Sequence, residues 1–221
     1  MEHLITRESV IERIEAEQLI VILRGIHGEE LRSLVGAIHK GGVNLVECTF
    51  DATGKYPAEK TAEDIRMLVE TYGDEMLFGA GTVLSEEQVV LTKAAGGRFI
   101  ISPDTNPDII RKTRELQMVS IPGALTPSEI TAAHRAGADF VKLFPVSTMG
   151  ADYVKAVKAP LSHVRLLAVG GIRLDNMEEY RKAGACGFGI GSNFASKDAL
   201  KNGDWDAITA GAKAYVDSLR G

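Results

Sequence analysis

Eight short apolar runs recur along the chain, at residues 19–23, 44–49, 76–82, 98–102, 118–122, 139–144, 164–170 and 187–191. Each is followed by a polar or glycine-rich turn, then by an amphipathic helical pattern. Their spacing of roughly 20–30 residues is the scale of one strand–helix unit. The runs are nearly continuous in apolar residues, the mark of strands covered on both faces. Eight such units predict an α/β fold, a single (β/α)8 TIM barrel, with an open doubly wound sheet as the runner-up. Residues 1–17 read as an extra N-terminal helix, and 208–219 as the helix that completes the outer ring. No linker or composition break interrupts the pattern, so residues 1–221 read as one catalytic barrel domain.

The helix boundaries carry their own chemistry. Leu31, Leu34, Val35 and Ile38 fall on one helical face. Ser85 with Gln88, Thr126 with Glu129 and Asp175 with Glu178 have the spacing of a capping box. Pro107 and Pro127 follow Asn106 and Thr126, where a first-turn proline is welcome. Glycine closes helices at Gly41-Gly42, Gly96-Gly97, Gly137 and Gly184. Asp64-Ile65-Arg66 and the stretch 178–182 read as solvated helix faces.

Composition then removes several classes of function. The 221 residues are 45% hydrophobic and 25% charged, ordinary for a globular chain, and the net charge of −5 argues against a nucleic-acid partner. No apolar run approaches the roughly 18 residues of a membrane span. The N-terminal segment is charged rather than signal-like, so a cytoplasmic location is expected. Cys48 and Cys186 lie far apart in apolar runs and read as buried free thiols. None of His3, His27, His39, His134 and His163 has ligand spacing, so no metal is expected. His39 and His134 fall on helix patterns as surface residues.

In a barrel of this kind the chemistry sits at the C-terminal strand ends. That rule brings forward Arg24, Glu47, Thr49, Gly79-Ala80-Gly81-Thr82, Ser102-Pro103, Pro122-Gly123, Lys142 and Phe144. It adds Gly170-Gly171 and Gly189-Ile190-Gly191-Ser192. Glu47 and Lys142 are ionisable residues lodged inside strand runs. Alternation puts Glu47 with Thr49, and Lys142 with Phe144, on one side of their strands. Facing inward, they would place an acid and an amine in one pocket. A lysine that burial strips of its proton is a nucleophile toward a carbonyl carbon. The alternative is an ion pair that only holds the barrel together. The glycines after strands seven and eight suit a phosphate held by backbone N–H groups, though tight turns also use glycine. Asp51 and Asp104 follow strands as pocket residues or turn formers.

Taken together these segments resemble the 2-keto-3-deoxy-6-phosphogluconate (KDPG) and 4-hydroxy-2-oxoglutarate (KHG) aldolases. The motifs are Val46-Glu47-Cys48-Thr49, Gly79-Ala80-Gly81-Thr82-Val83-Leu84 and Phe99-Ile100-Ile101-Ser102-Pro103. Pro122-Gly123-Ala124-Leu125-Thr126-Pro127-Ser128-Glu129, Val141-Lys142-Leu143-Phe144-Pro145, Val169-Gly170-Gly171-Ile172 and Gly189-Ile190-Gly191-Ser192 follow in order. The resemblance implies a class I aldolase without metal or cofactor, a homotrimer acting on a small, phosphorylated keto acid in carbohydrate metabolism of the Entner–Doudoroff kind. By it, Lys142 matches the Schiff-base lysine and Glu47 the general acid/base. Thr82, Pro103 and Phe144 match the pyruvate end, and Gly170, Gly171, Gly191 and Ser192 the phosphate site. Arg24 and Thr49 match further polar positions of the pocket.

The chain departs from that pattern at informative places. Many members have arginine where this one has Asp51, which would repel a substrate carboxylate. Arg24 or the amides around Thr82 are the substitutes at hand. Residues 52–60 form a longer segment than usual, and Asp104 replaces a common glycine. Val169 stands where many members have threonine. With Ile22-Leu23-Arg24-Gly25-Ile26, it resembles the branch that acts on the galactonate epimer. The expected reaction is cleavage of KDPG to pyruvate and glyceraldehyde 3-phosphate, with 4-hydroxy-2-oxoglutarate giving glyoxylate as a second substrate. The alternatives are the same reaction on the galactonate epimer and, more remotely, a phosphosugar epimerase on the same barrel.

Overall fold

The computed structural model describes residues 5–220. Its strands, all parallel, are β1 (Leu19–Leu23), β2 (Leu45–Thr49), β3 (Leu77–Gly81), β4 (Phe99–Ile101), β5 (Val119–Ile121), β6 (Gly123–Ala124), β7 (Val141–Leu143), β8 (Leu166–Val169) and β9 (Gly187–Ile190). The order around the sheet is β5-β4-β3-β2-β1-β9-β8-β7-β6. All eight apolar runs are strands, and the expected α/β barrel is the fold. The fifth run gives only β5, and a second short strand, β6, follows just beyond its end, because Pro122 has no N–H to give the ladder. The ring is carried across that gap by carbonyls. Ser120 O accepts from Asp139 N at 3.0 Å, and Pro122 O accepts from Lys142 N at 2.8 Å.

The helices are α1 (Arg7–Glu17), α2 (Gly28–Lys40), α3 (Ala58–Tyr72), α4 (Glu86–Ala94), α5 (Pro107–Glu115), α6 (Pro127–Ala136), α7 (Gly150–Lys158), α8 (Met177–Lys182), α9 (Lys197–Asn202) and α10 (Trp205–Arg220). Their caps follow local chemistry. Thr126 and Glu129 make a full capping box, with Pro127 in the first turn of α6. Ser85 accepts from Gln88 N, but the Gln88 side chain turns to Leu84 N instead of closing the box. Asp175 is not a cap. Asn176 precedes α8, and its side chain accepts from Arg173 N while Asp175 pairs with Arg173. The N-terminal helix begins at Arg7, and residues 1–4, with His3, lie outside the described residues. No described helix is long and apolar enough to cross a membrane.

Two apolar cores divide the labour. The larger lies between strands and helices and takes Val21, Val46, Cys48, Val141 and Leu143. The smaller lies inside the ring and takes Ile20, Leu45, Leu77, Phe99, Phe140, Leu167 and Val169. Val10 and Ile14 of α1 join this inner core, alongside the residues at the strand starts. Alternation along β2 and β7 therefore leaves Glu47 and Lys142 on the inner side, two residues above Leu45 and Phe140. Of the cysteines, Cys48 is buried and Cys186 only partly so, its thiol donating to Leu166 O at 3.3 Å. Burial pushes both thiols up, Cys186 to about 11, so neither is a ready nucleophile. Tyr180 is a further correction to the solvated reading of 178–182. It is buried, and its hydroxyl donates to Val146 O at 3.2 Å.

Candidate active site

Lys142 is 7% exposed and Glu47 1% exposed, yet no nitrogen–oxygen pair between them falls within 4.0 Å. The ion-pair alternative is therefore not what the structure contains. Glu47 Oε2 has no hydrogen-bond partner at all. A buried, unpaired carboxylate is costly, and burial duly raises its pKa, against the opposing pull of Lys142 and Arg24. Burial lowers the Lys142 pKa. The Glu47 charge resists that shift and the Arg24 charge adds to it. Both groups are thus moved toward their neutral forms. That leaves an amine able to attack a carbonyl beside a carboxyl able to carry a proton.

Local structure holds each in place. The Lys142 backbone is pinned by its N–H bond to Pro122 O and by its register with Gly123 on β6. Its ammonium nitrogen lies 4.8 Å from the centre of the Phe144 ring. Glu47 lies across from Gly79 on β3, one pleat below Thr49 and Gly81. A methyl group added at Gly81 would stand 1.5 Å from Glu47 Oε1, so the glycine supplies the space the carboxylate occupies. Next to it, Thr82 is held at φ +54°, a left-handed conformation that a β-branched residue rarely adopts. Gly170 (φ +93°) and Gly171 (φ +81°) also use backbone angles that favour glycine.

These residues surround a cavity of about 230 Å³, open at the C-terminal strand ends. Arg24, Thr82, Pro103, Lys142, Phe144, Gly170, Gly171 and Gly191 all line it. Ser192 lies next door, lining an adjoining pocket with Arg24 and Gly191. Glu47 and Thr49 are buried on the inner side of β2 rather than lining the cavity wall. Sequence reasoning missed Ile22, Ile172 and Asn193 as wall residues, and only Asn193 carries a polar signal. Its amide donates to Ile172 O at 3.1 Å. Among the described residues, no three His, Cys, Asp or Glu side chains are grouped as metal ligands.

The two aspartates that follow strands are turn formers. Asp104 is exposed, and its carbonyl accepts from Gly123 N. Asp51 accepts from the backbone N–H groups of Thr53 and Tyr56, both at 2.9 Å, and from the Thr53 hydroxyl. Those donors hold its carboxyl down at about 2, so it is ionised and committed to its own loop. Asp64, read from sequence as solvated, is buried at 6% exposure. His39 likewise is half-buried, between Asn44 and Glu75.

Comparison with known proteins agrees with this geometry. The family model for KDPG and KHG aldolase matches residues 10–211. The 2-dehydro-3-deoxy-6-phosphogalactonate aldolase of Escherichia coli K12 is 34% identical, covering 91% of this chain and 96% of its own. The 2-dehydro-3-deoxy-phosphogluconate aldolase of Haemophilus influenzae is 30% identical, covering 97% and 99%. Among solved structures, the KDPG aldolase of Legionella pneumophila, with pyruvate captured at low pH as a covalent carbinolamine, superposes with a TM-score of 0.82. It is 28% identical and covers 95% of this chain and 98% of its own.

Proposed function

The chain belongs to the KDPG and KHG aldolase family and so to the lyases, and from that premise we propose that it cleaves a phosphorylated 2-keto-4-hydroxy acid through a Schiff base on Lys142. One observation carries the proposal: a buried amine lines the cavity, and a buried carboxyl on the inner side of β2 feels its charge without pairing with it. The Legionella relative's covalent capture of pyruvate supports the same role for Lys142 here.

The steps follow from those two groups. The neutral Lys142 amine adds to the C2 carbonyl, and the resulting carbinolamine loses water to give an iminium. Glu47, directly or through a water, takes the proton of the C4 hydroxyl. The C3–C4 electron pair moves into the iminium, so an aldehyde leaves and an enamine remains. Protonation at C3 and addition of water release pyruvate and restore the amine. Phe144 and Pro103 shape the pyruvate end, and Thr82 presents its backbone there. Gly170, Gly171, Gly191 and Ser192 offer the phosphate their N–H groups. Arg24 shares both pockets with Gly191 and supplies the cation at that end. The family resemblance also brings the expectation of a cytoplasmic homotrimer, which light scattering on the purified chain checks.

For the epimer, the galactonate reading has specific support. Val169 puts an apolar side chain on the cavity wall where a hydroxyl is common, and the Escherichia coli galactonate enzyme is 34% identical. We therefore expect faster cleavage of the galactonate-derived epimer than of KDPG itself in parallel assays, with 4-hydroxy-2-oxoglutarate slower than either. Faster cleavage of KDPG would reverse that order. Incubation with pyruvate followed by borohydride should leave a mass adduct on Lys142, and Lys142→Arg should lose both adduct and cleavage while keeping its fold. A folded wild-type chain that forms no adduct would sink the mechanism.

A further inference from the structure

Asp64 of α3 is a buried carboxylate with no part in the chemistry of Lys142 and Glu47. Its Oδ1 accepts from Gly28 N at 2.9 Å. Its Oδ2 faces His27 Nδ1 at 2.8 Å and accepts from the Tyr56 hydroxyl at 3.2 Å. Facing a carboxylate, Nδ1 is the nitrogen that carries the proton. The His27 and Tyr56 rings stack, with centroids 3.5 Å apart and planes 18° from parallel. Burial and the Asp64 charge push the Tyr56 phenol up to about 12, so it stays a donor. Tyr56 N in turn donates to Asp51 Oδ2. One carboxylate thus ties together the loops that follow β1 and β2.

The loop after β1 needs such a tie. It runs from Arg24 to the start of α2 and holds Gly25 at φ +67° and Gly28 at φ +58°. Two such glycines give a short loop wide conformational freedom, which folding must then remove. Arg24 opens this loop, is exposed at the cavity mouth, and enters none of the ion pairs among the described residues. An unpaired guanidinium on a loose loop would lose much of its binding contribution to ordering. Here the far end of the loop, His27-Gly28, is fastened to α3 instead.

We propose that Asp64, with His27 and Tyr56, is a positioning cluster that fixes the loop after β1 and thereby holds Arg24 ready for the anionic tail of the substrate. The proposal rests on the aldolase reading of the cavity. It also gives a physical account of the longer segment after β2, whose Tyr56 forms one wall of the cluster.

A double-mutant cycle tests it with the phosphorylated keto acid that the wild type cleaves faster. Asp64→Ala should raise KM about tenfold with kcat nearly unchanged, the scale of lost hydrogen bonds to a charged group. Borohydride trapping of pyruvate on Lys142 should be unaffected, because pyruvate lacks the anionic tail. In an Arg24→Ala background, Asp64→Ala should add no more than about twofold, since coupled residues are not additive. His27→Ala removes a half-buried ring without emptying the core, so it serves if Asp64→Ala does not fold, and the same pattern is expected. Losses that multiply in the double variant, an unchanged KM, or an equal fall in kcat and pyruvate trapping would each overturn the proposal. A wild-type chain that traps no pyruvate would instead bring down the aldolase reading, and this proposal with it.

Discussion

Glu47 owes its position to an absent methyl group. The carboxylate oxygen stands 1.5 Å from where a side chain at Gly81 would begin. Gly81→Ala should therefore act as a Glu47 variant without touching substrate. General acid–base help is worth about 100-fold to 10,000-fold, so a loss of that order in kcat is expected from a folded protein. Adding Glu47→Asp, which draws the carboxylate back by one carbon, should recover part of that loss; a double variant worse than Gly81→Ala alone would refute the steric account. Protonation gives a second check. Burial lowers the Lys142 pKa and raises that of Glu47, and both losses, of free amine and of carboxylate, fall on the acid side. The pH profile of kcat/KM should thus fall toward acid, at a pH above the ordinary carboxylate range. Lys142 and Glu47 were legible in the sequence, because an ionisable residue inside an apolar run stands out and alternation sets its side. Gly81 was not, since a glycine's purpose depends on what the neighbouring strand places over it.

At the scale of elements, what could be read was local and what could not was tertiary. The Thr126–Glu129 box, the first-turn prolines and the glycine stops depend on residues within a turn of each other, and they are where the sequence puts them. The break at Pro122 depends on a neighbour across the ring, and the run 118–122 gave no sign that two strands would flank it. Asp64 was misread for the same reason: its partners His27, Gly28 and Tyr56 lie on other elements. Helix α1 shows how far the two kinds of interaction differ in energy. Ile14 is 1% exposed within the inner core, whereas Thr126 caps α6 near the surface. Urea unfolding of Ile14→Ala should show a loss of about 2–5 kcal/mol, against about 1 kcal/mol for Thr126→Ala. Near-equal losses would mean that α1 is only draped on the barrel.

The whole molecule sets an apolar floor against a polar mouth, and the two ends make opposite demands. Val10, Ile14, Leu45, Leu77 and Phe140 fill the ring from below with hydrocarbon. At the height of Lys142 and Glu47 the same ring holds two ionisable groups that do not neutralise each other at close range. That arrangement is reactive because it is unfavourable, so removing it should stabilise the fold. Lys142→Met keeps the length and apolar stem of the side chain and deletes the amine. It should raise the unfolding free energy near neutral pH by about 1 kcal/mol while abolishing the pyruvate adduct. The sign follows from linkage. The unfolded lysine binds a proton up to its ordinary pKa of 10.5, whereas the native one releases it at lower pH. Stability of the wild type therefore rises with pH across that window, and the penalty is full below the native pKa. The advantage of Lys142→Met should shrink as pH climbs toward 10.5 and be largest below it. Glu47, with its native pKa raised, acts in the opposite sense, its native state holding a proton that the unfolded chain has lost. Its contribution falls as pH rises from the ordinary carboxylate range through the raised value, so the alkaline side isolates the lysine. Urea melts of both proteins at several pH values would decide the matter. A Lys142→Met variant less stable than wild type at neutral pH would mean that the buried amine is satisfied in the native fold, and that its reactivity has another source.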